Sequence, residues 1–184
     1  MSQSGNQDRS VDLSSTGWWR EYNRERTEAT THRVTAFVRS FAPAPGQHNN
    51  RARVLSELNS AVEAGPLDDC RSTVLGDQIC RCQDCQQAPE AMGLLEITET
   101  LATWGGGGLN ATGFDERVVR SAITGEEYRV IVPPELSVGI YADDSLVGVF
   151  PSVTETGLFR PVDYVSTLVE NSPDQQSGPV QELS

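Results

Sequence analysis

The sequence contains no lysine: its fourteen basic residues are all arginine, set against twenty-six acids, for a formal net charge of −12 and a pI near 4.5. Large hydrophobic residues are sparse, and no run approaches the roughly 18 apolar residues that span a bilayer. The opening Met1-Ser2-Gln3-Ser4-Gly5 has neither a positive nor an apolar region of the kind an export signal needs. These absences predict a protein that is neither exported nor membrane-embedded. Arg as sole cation, an acidic exterior and many small residues suit concentrated salt, where self-repulsion is screened within about 3 Å at 1 M. The compartment this predicts is a halophile's cytoplasm.

Histidine is nearly absent too, at two residues, and no Gly-x-Ser-x-Gly elbow accompanies either one, so a serine hydrolase is unsupported. Gly106-x-Gly108-x-x-Ala111 has the look of a dinucleotide fingerprint. It follows a predicted helix and precedes a predicted strand, the reverse of what pyrophosphate binding at a helix N-terminus demands. Asp143-Asp144 and Glu126-Glu127 fall in predicted turns, where solvated charge is the ordinary explanation. Asn110-Ala111-Thr112 matches a glycosylation sequon without a secretory context and reads as a loop. No convergent catalytic set emerges, and the expectation is a protein that is not an enzyme.

What the sequence does concentrate is thiol. Cys80, Cys82 and Cys85 lie within six residues, with Cys70 ten residues upstream. In a reducing cytosol such a cluster points to metal or redox chemistry rather than to a disulfide framework. Cys82-x-x-Cys85 has knuckle spacing, and zinc takes four soft or borderline ligands. The candidate metal set is therefore Cys70, Cys80, Cys82 and Cys85, with His48 or His32 as alternatives for the fourth place. The competing reading leaves the loop thiols unligated and Cys70 as a small hydrophobe in a strand. A redox pair of Cys82 with Cys85 has no thioredoxin-like context, although Arg81 beside the thiols would lower their pKa.

Along the chain, residues 1–16 read as a disordered polar arm. Residues 17–31 hold Trp18, Trp19 and Tyr22 among arginines and read as a short helix or an arm across the domain. Residues 17–41 carry five Arg against three Glu, the one net-positive stretch. Residues 32–170 form a single α+β domain, and 171–184 a disordered acidic tail. Within the domain, Arg33 to Phe41 alternates as a half-buried strand, ended by Pro43 and Pro45-Gly46. Asn49 or Asn50 caps a helix carrying Ala52, Leu55, Leu58, Ala61 and Val62, which stops at Gly65-Pro66. Asp69 to Ile79 is a second strand, parallel to the first by the crossover rule. A second helix starts at Pro89 and carries Met92, Leu95, Thr98, Leu101 and Ala102, with Leu94 and Ile97 widening the stripe. Four β-type runs, 117–123, 128–132, 138–141 and 146–150, predict an antiparallel meander completing one mixed sheet. A short helix after Pro161 buries Val162, Val165, Leu168 and Val169. No internal repeat is present.

With these elements placed, the run from Arg33 to about Glu170 resembles a family of uncharacterised haloarchaeal proteins labelled as helix-turn-helix (HTH) domain proteins. The resemblance is carried by Val34-Thr35-Ala36-Phe37-Val38-Arg39-Ser40-Phe41-Ala42-Pro43, by the helix from Leu55 to Ala64, by Val74-Leu75-Gly76, and by Arg117 through Tyr128. It implies an intracellular α+β protein with a regulatory, transcription-associated role and a DNA or protein partner. It supplies no catalytic or binding residues. Cys85 and the Trp18-Trp19 pair stand outside the family pattern. Between residues 42 and 169 eight Arg face eighteen acids, poor electrostatics for phosphate. The better nucleic-acid or partner candidates are Arg20, Arg24 and Arg26, with Arg33 and Arg39, and Trp18, Trp19 and Tyr22 to stack. The alternative has the Trp pair covering an open face of the domain.

Overall fold

A computed structural model describes residues 11–40, 42 and 48–171, apart from the side chains of residues 48 and 49. Residues 1–10 of the arm expected over residues 1–16, the strand end at Phe41, the stops at Pro43 and Pro45-Gly46, the capping side chain of Asn49, His48 as a ligand, and the tail from 172 onward lie outside the described residues; within 11–16, Leu13 is buried in the core. The fold is α+β, with helices and antiparallel pairs in one domain.

Its centre is a four-stranded sheet ordered β2-β1-β6-β7, formed by β1 (His32–Val38), β2 (Asp69–Val74), β6 (Leu136–Ala142) and β7 (Ser145–Phe150). β1 and β2 pair in parallel, as the crossover through the helix α2 (His48–Ala64) predicts. β1 lies between β2 and β6, so residues 34–38 are buried on both faces rather than one. Val34 and Ala36 meet a layer of helices, and Phe37 points the other way. The helical layer comprises α2, α5 (Pro161–Glu170) and α1 (Gly17–Glu28), which contribute Val54, Leu58, Tyr164, Leu168, Trp19 and Tyr22 to one core. Burying side chains of this size stabilises the fold by about 1.5–3 kcal/mol each.

The opposite face of the sheet packs on a second layer, made of α4 (Pro89–Ala102) and a three-stranded sheet of β3 (Ile79–Cys80), β5 (Glu127–Val132) and β4 (Asp115–Arg120). Phe37, Val149, Leu95, Leu101, Phe114 and Ile131 form this second core. A third pair, β8 (Ser152–Thr154) with β9 (Gly157–Phe159), was not anticipated from the sequence. The four-residue α3 (Gln83–Gln86) sits between β3 and α4.

Two expectations are corrected. The extended run from Asp69 to Ile79 is two strands in different sheets, divided where Gly76 takes a left-handed φ of 96°. The expected meander is two hairpins: β4 pairs only with β5, and β6 with β1 and β7. Pro133-Pro134 stands between β5 and β6, and prolines bring no N–H to a ladder, so the chain changes sheets there. α4 ends at Ala102 ahead of a glycine run in which Gly105, Gly106 and Gly108 take φ of 76°, 72° and 80°. α2 begins at His48, so Asn49 and Asn50 are inside it; Val54 is buried while Ala52 is exposed.

Candidate thiolate site

β3 is short but well anchored. Ile79 is buried, Ile79 and Cys80 face Ile131 and Val130 of β5, and the Arg81 N–H donates to the Arg129 carbonyl at 2.9 Å. Cys80 therefore lies at the end of a strand held by its ladder. Two residues on, Cys82 is the N-cap of α3, in extended conformation, and Cys85 is the third residue of that helix. A strand ending in a helix start folds the chain back on itself, and Sγ of Cys80, Cys82 and Cys85 all lie within 4.8 Å of one another. All three are half-buried and free.

The Cys82 N–H donates to Cys80 Sγ at 3.3 Å. The Cys82 thiol is held below its usual pKa by the hydrogen bond from Cys80 first, then by the backbone N–H and thiol of Cys85 and the backbone N–H of Asp84. Cys85 is pushed up to about 12, chiefly because its thiol is engaged with Cys82 and then Cys80. Three sulfurs therefore face one another across a short loop, the donor arrangement from which a thiophilic ion displaces protons.

Arg81 was expected to act on these thiols and does not. Its guanidinium reaches Glu99 of α4 through Nε at 3.1 Å and Nη2 at 2.7 Å, and Glu116 of β4 through Nη1. Glu116 also accepts from Arg129 at 3.3 Å. Arg81 therefore clamps the loop to α4 and β4. No local spacing signals this: 18 residues separate Arg81 from Glu99 and 35 from Glu116, and the contact appears only when β3, α4 and β4 pack together.

Cys70 is not in the cluster. It stays in β2, paired with Val34 and packed on the helix-side core, where burial raises its thiol pKa. The break after β2 carries the other cysteines to the second sheet. His32 is remote as well: it opens β1, its N–H is held by Asp68 at 2.6 Å, and burial and Arg26 lower its pKa. Among the described residues, only the three loop cysteines converge.

The aromatic candidates are committed to packing. Trp19 is 3% and Tyr22 2% exposed. Trp18 stacks on Tyr22, lies edge-on to Phe150, and donates its indole N–H to the Val147 carbonyl at 3.0 Å. The Trp19 and Tyr22 rings are closed to a base, while Trp18 is half-buried and lines a groove. Arg33 lies over the Tyr141 ring, and Arg39 bonds the Pro133 carbonyl and pairs with Glu135. Arg26 is half-buried. Arg20 and Arg24 are exposed on α1, Arg24 paired with Glu21 at 3.0 Å.

Asp143, one of the turn acids, accepts the N–H groups of Thr30 and Thr31, both at 3.0 Å, which fixes the entry to β1. A groove of about 560 Å³ lies between residues 11–18, β8–β9 and Trp104, with Phe150 and Phe159 in its walls. The one ionisable side chain lining it is Asp12, whose carboxylate bonds Ser14. No helix of the described residues is long and apolar enough to cross a membrane.

Fold and site together define a small α+β protein whose concentrated chemistry is a thiol loop beside a helix pair. The chain belongs to the helix-turn-helix domain family, whose model matches residues 26–173. Comparison with curated proteins and with solved structures finds no match. Among the described residues, α3 and α4 are the one pair of α-helices that follow each other without a strand between, joined through Gln87 and Ala88. α4 carries Glu90, Glu96 and Glu99 and no Arg, Lys, Asn or Gln, so it lacks the cations and amides that make bidentate contacts to purine edges.

Proposed function

We propose that this chain is a non-enzymatic regulatory module working in the cytoplasm of a halophilic archaeon, in association with DNA and transcription. The family match over residues 26–173 is the observation that carries this reading. The acidic composition and the absence of lysine support the halophilic setting. Direct DNA contact on this reading runs through the exposed Arg20 and Arg24, because α4 offers no cation. Molar salt reduces the penalty of the acidic exterior by screening it. The test is retention of double-stranded DNA fragments by the full chain at about 1 M KCl, compared with an Arg20→Gln, Arg24→Gln variant. α1 is part of the core, so the variant changes its exposed arginines and leaves the helix in place. Retention by the parent and its loss in the variant are expected; no retention by either removes DNA and leaves a protein partner.

A second reading is favoured by the convergence of Cys80, Cys82 and Cys85: the loop is a zinc-binding or thiol redox-sensing site. The two readings are compatible, the loop being the input of the regulatory module. Peroxide treatment followed by thiol counting tests the redox form, with loss of two loop thiols restored by a dithiol reductant as the expected result.

A further inference from the structure

We propose that Cys80, Cys82 and Cys85 hold a thiophilic d10 metal ion, Zn(II) or Cu(I), as three thiolates with the fourth position open, so that the ion is exchangeable and not a structural staple. This rests on the second reading above and specifies it. The three Sγ atoms lie within 4.8 Å of one another. Zn–S bonds of about 2.3 Å place sulfurs roughly 3.8 Å apart in a tetrahedron and about 4.0 Å apart in a trigonal plane, so small side-chain rotations complete either geometry. Thiolate donors select zinc and copper(I) over magnesium, calcium and manganese.

The fourth position is where this site departs from a structural zinc centre, which is closed by four protein ligands. Cys70 is held in the other sheet, His32 opens β1, and no carboxylate joins the group among the described residues. Water or a small exogenous thiol completes zinc; copper(I) is satisfied by the three sulfurs. Binding is balanced by protons alone: each thiol bonds the ion through a sulfur lone pair, its proton passes to solvent, and no electron is transferred. The Cys82 N–H already donating to Cys80 Sγ supplies the outer hydrogen bonding that steadies a thiolate ligand.

The ligands belong to the end of β3, the N-cap of α3 and the body of α3, and α3 packs on α4. While bound, an ion there links α3 to the end of β3. Its loss releases α3 while Arg81 still holds the loop base through Glu99 and Glu116. Occupancy is therefore a local switch in the position of α3.

The test uses the reduced full chain under anaerobic conditions, titrated with Zn(II) and with Cu(I) against chromophoric chelators. The same titrations are run on Cys70→Ser and on each single Cys→Ser variant of the loop, with circular dichroism to verify folding. One ion per chain is expected, unchanged in C70S and weakened roughly tenfold or more in C80S, C82S and C85S. X-ray absorption is expected to give three sulfurs plus one light atom for zinc and three sulfurs for copper. Binding of neither ion overturns the proposal, as does a loss in C70S equal to the loop variants or a four-sulfur shell. Failure to bind metal with intact, peroxide-reversible thiol chemistry sinks this inference alone; failure of both sinks the underlying reading.

Discussion

Asp163 is fully buried and 152 residues away in sequence from Val11, whose N–H it accepts at 2.7 Å. The same carboxylate accepts the Arg160 N–H at 2.6 Å and so caps α5. Replacing it with Ala strands the Val11 and Arg160 N–H donors and removes an ion pair with the Arg160 guanidinium, and is expected to destabilise the fold by about 3 kcal/mol. Urea denaturation in molar salt measures the loss. Tyr22 and Tyr164 share a buried hydroxyl pair at 3.2 Å. Burial raises both pKa values, that of Tyr164 well above the ordinary one. A raised folded-state value means the contribution is whole below the unfolded value near 10 and is lost as pH climbs past it. The contribution of this pair should hold steady up to about pH 10 and fall above it, and in Tyr164→Phe the fall in stability above that pH should be shallower by denaturation at each pH. The cysteine cluster was legible at this scale because thiol spacing is local, whereas Cys70 was misassigned because nothing in its neighbourhood reports which sheet its strand joins.

Helix α1 lies against β7 through a contact that leaves no room for a methyl group. A Cβ on Gly148 would sit 2.6 Å from the Trp18 ring. Gly148→Ala must displace that indole, break its bond to Val147 and loosen α1, a destabilisation of about 1–3 kcal/mol. A red shift in tryptophan emission with a lower denaturation midpoint is the expected signature. α2, α4 and α5 were readable because Leu58, Leu101 and Leu168 repeat at helical spacing among other apolar positions. The β1–β2, β4–β5 and β6–β7 pairs were readable, but the break between β5 and β6 was not, since the β runs 128–132 and 138–141 are equally able to pair with each other or with β3 and β1. The outcome turns on Pro133-Pro134 and on the distant Val130 and Val34 registers. The Arg81 clamp was invisible for the same reason.

Taken whole, the molecule combines an apolar interior of two layers with a net charge of −12. Raising KCl from about 0.1 to 1 M shortens the screening length from about 10 Å to 3 Å. The midpoint of thermal unfolding should rise by several degrees over that range; no change would detach the acidic composition from salt. In this helix-turn-helix domain family member the thiol loop runs into α3 and α4, among the described residues the one pair of α-helices with no strand between. Hydrogen–deuterium exchange of the full chain, reduced and metal-free against zinc-loaded, tests that junction most directly. Slower exchange confined to residues 80–92 is expected on loading, with the β1 and β6 amides unchanged. Equal exchange throughout, or protection spread evenly over both sheets, would contradict it.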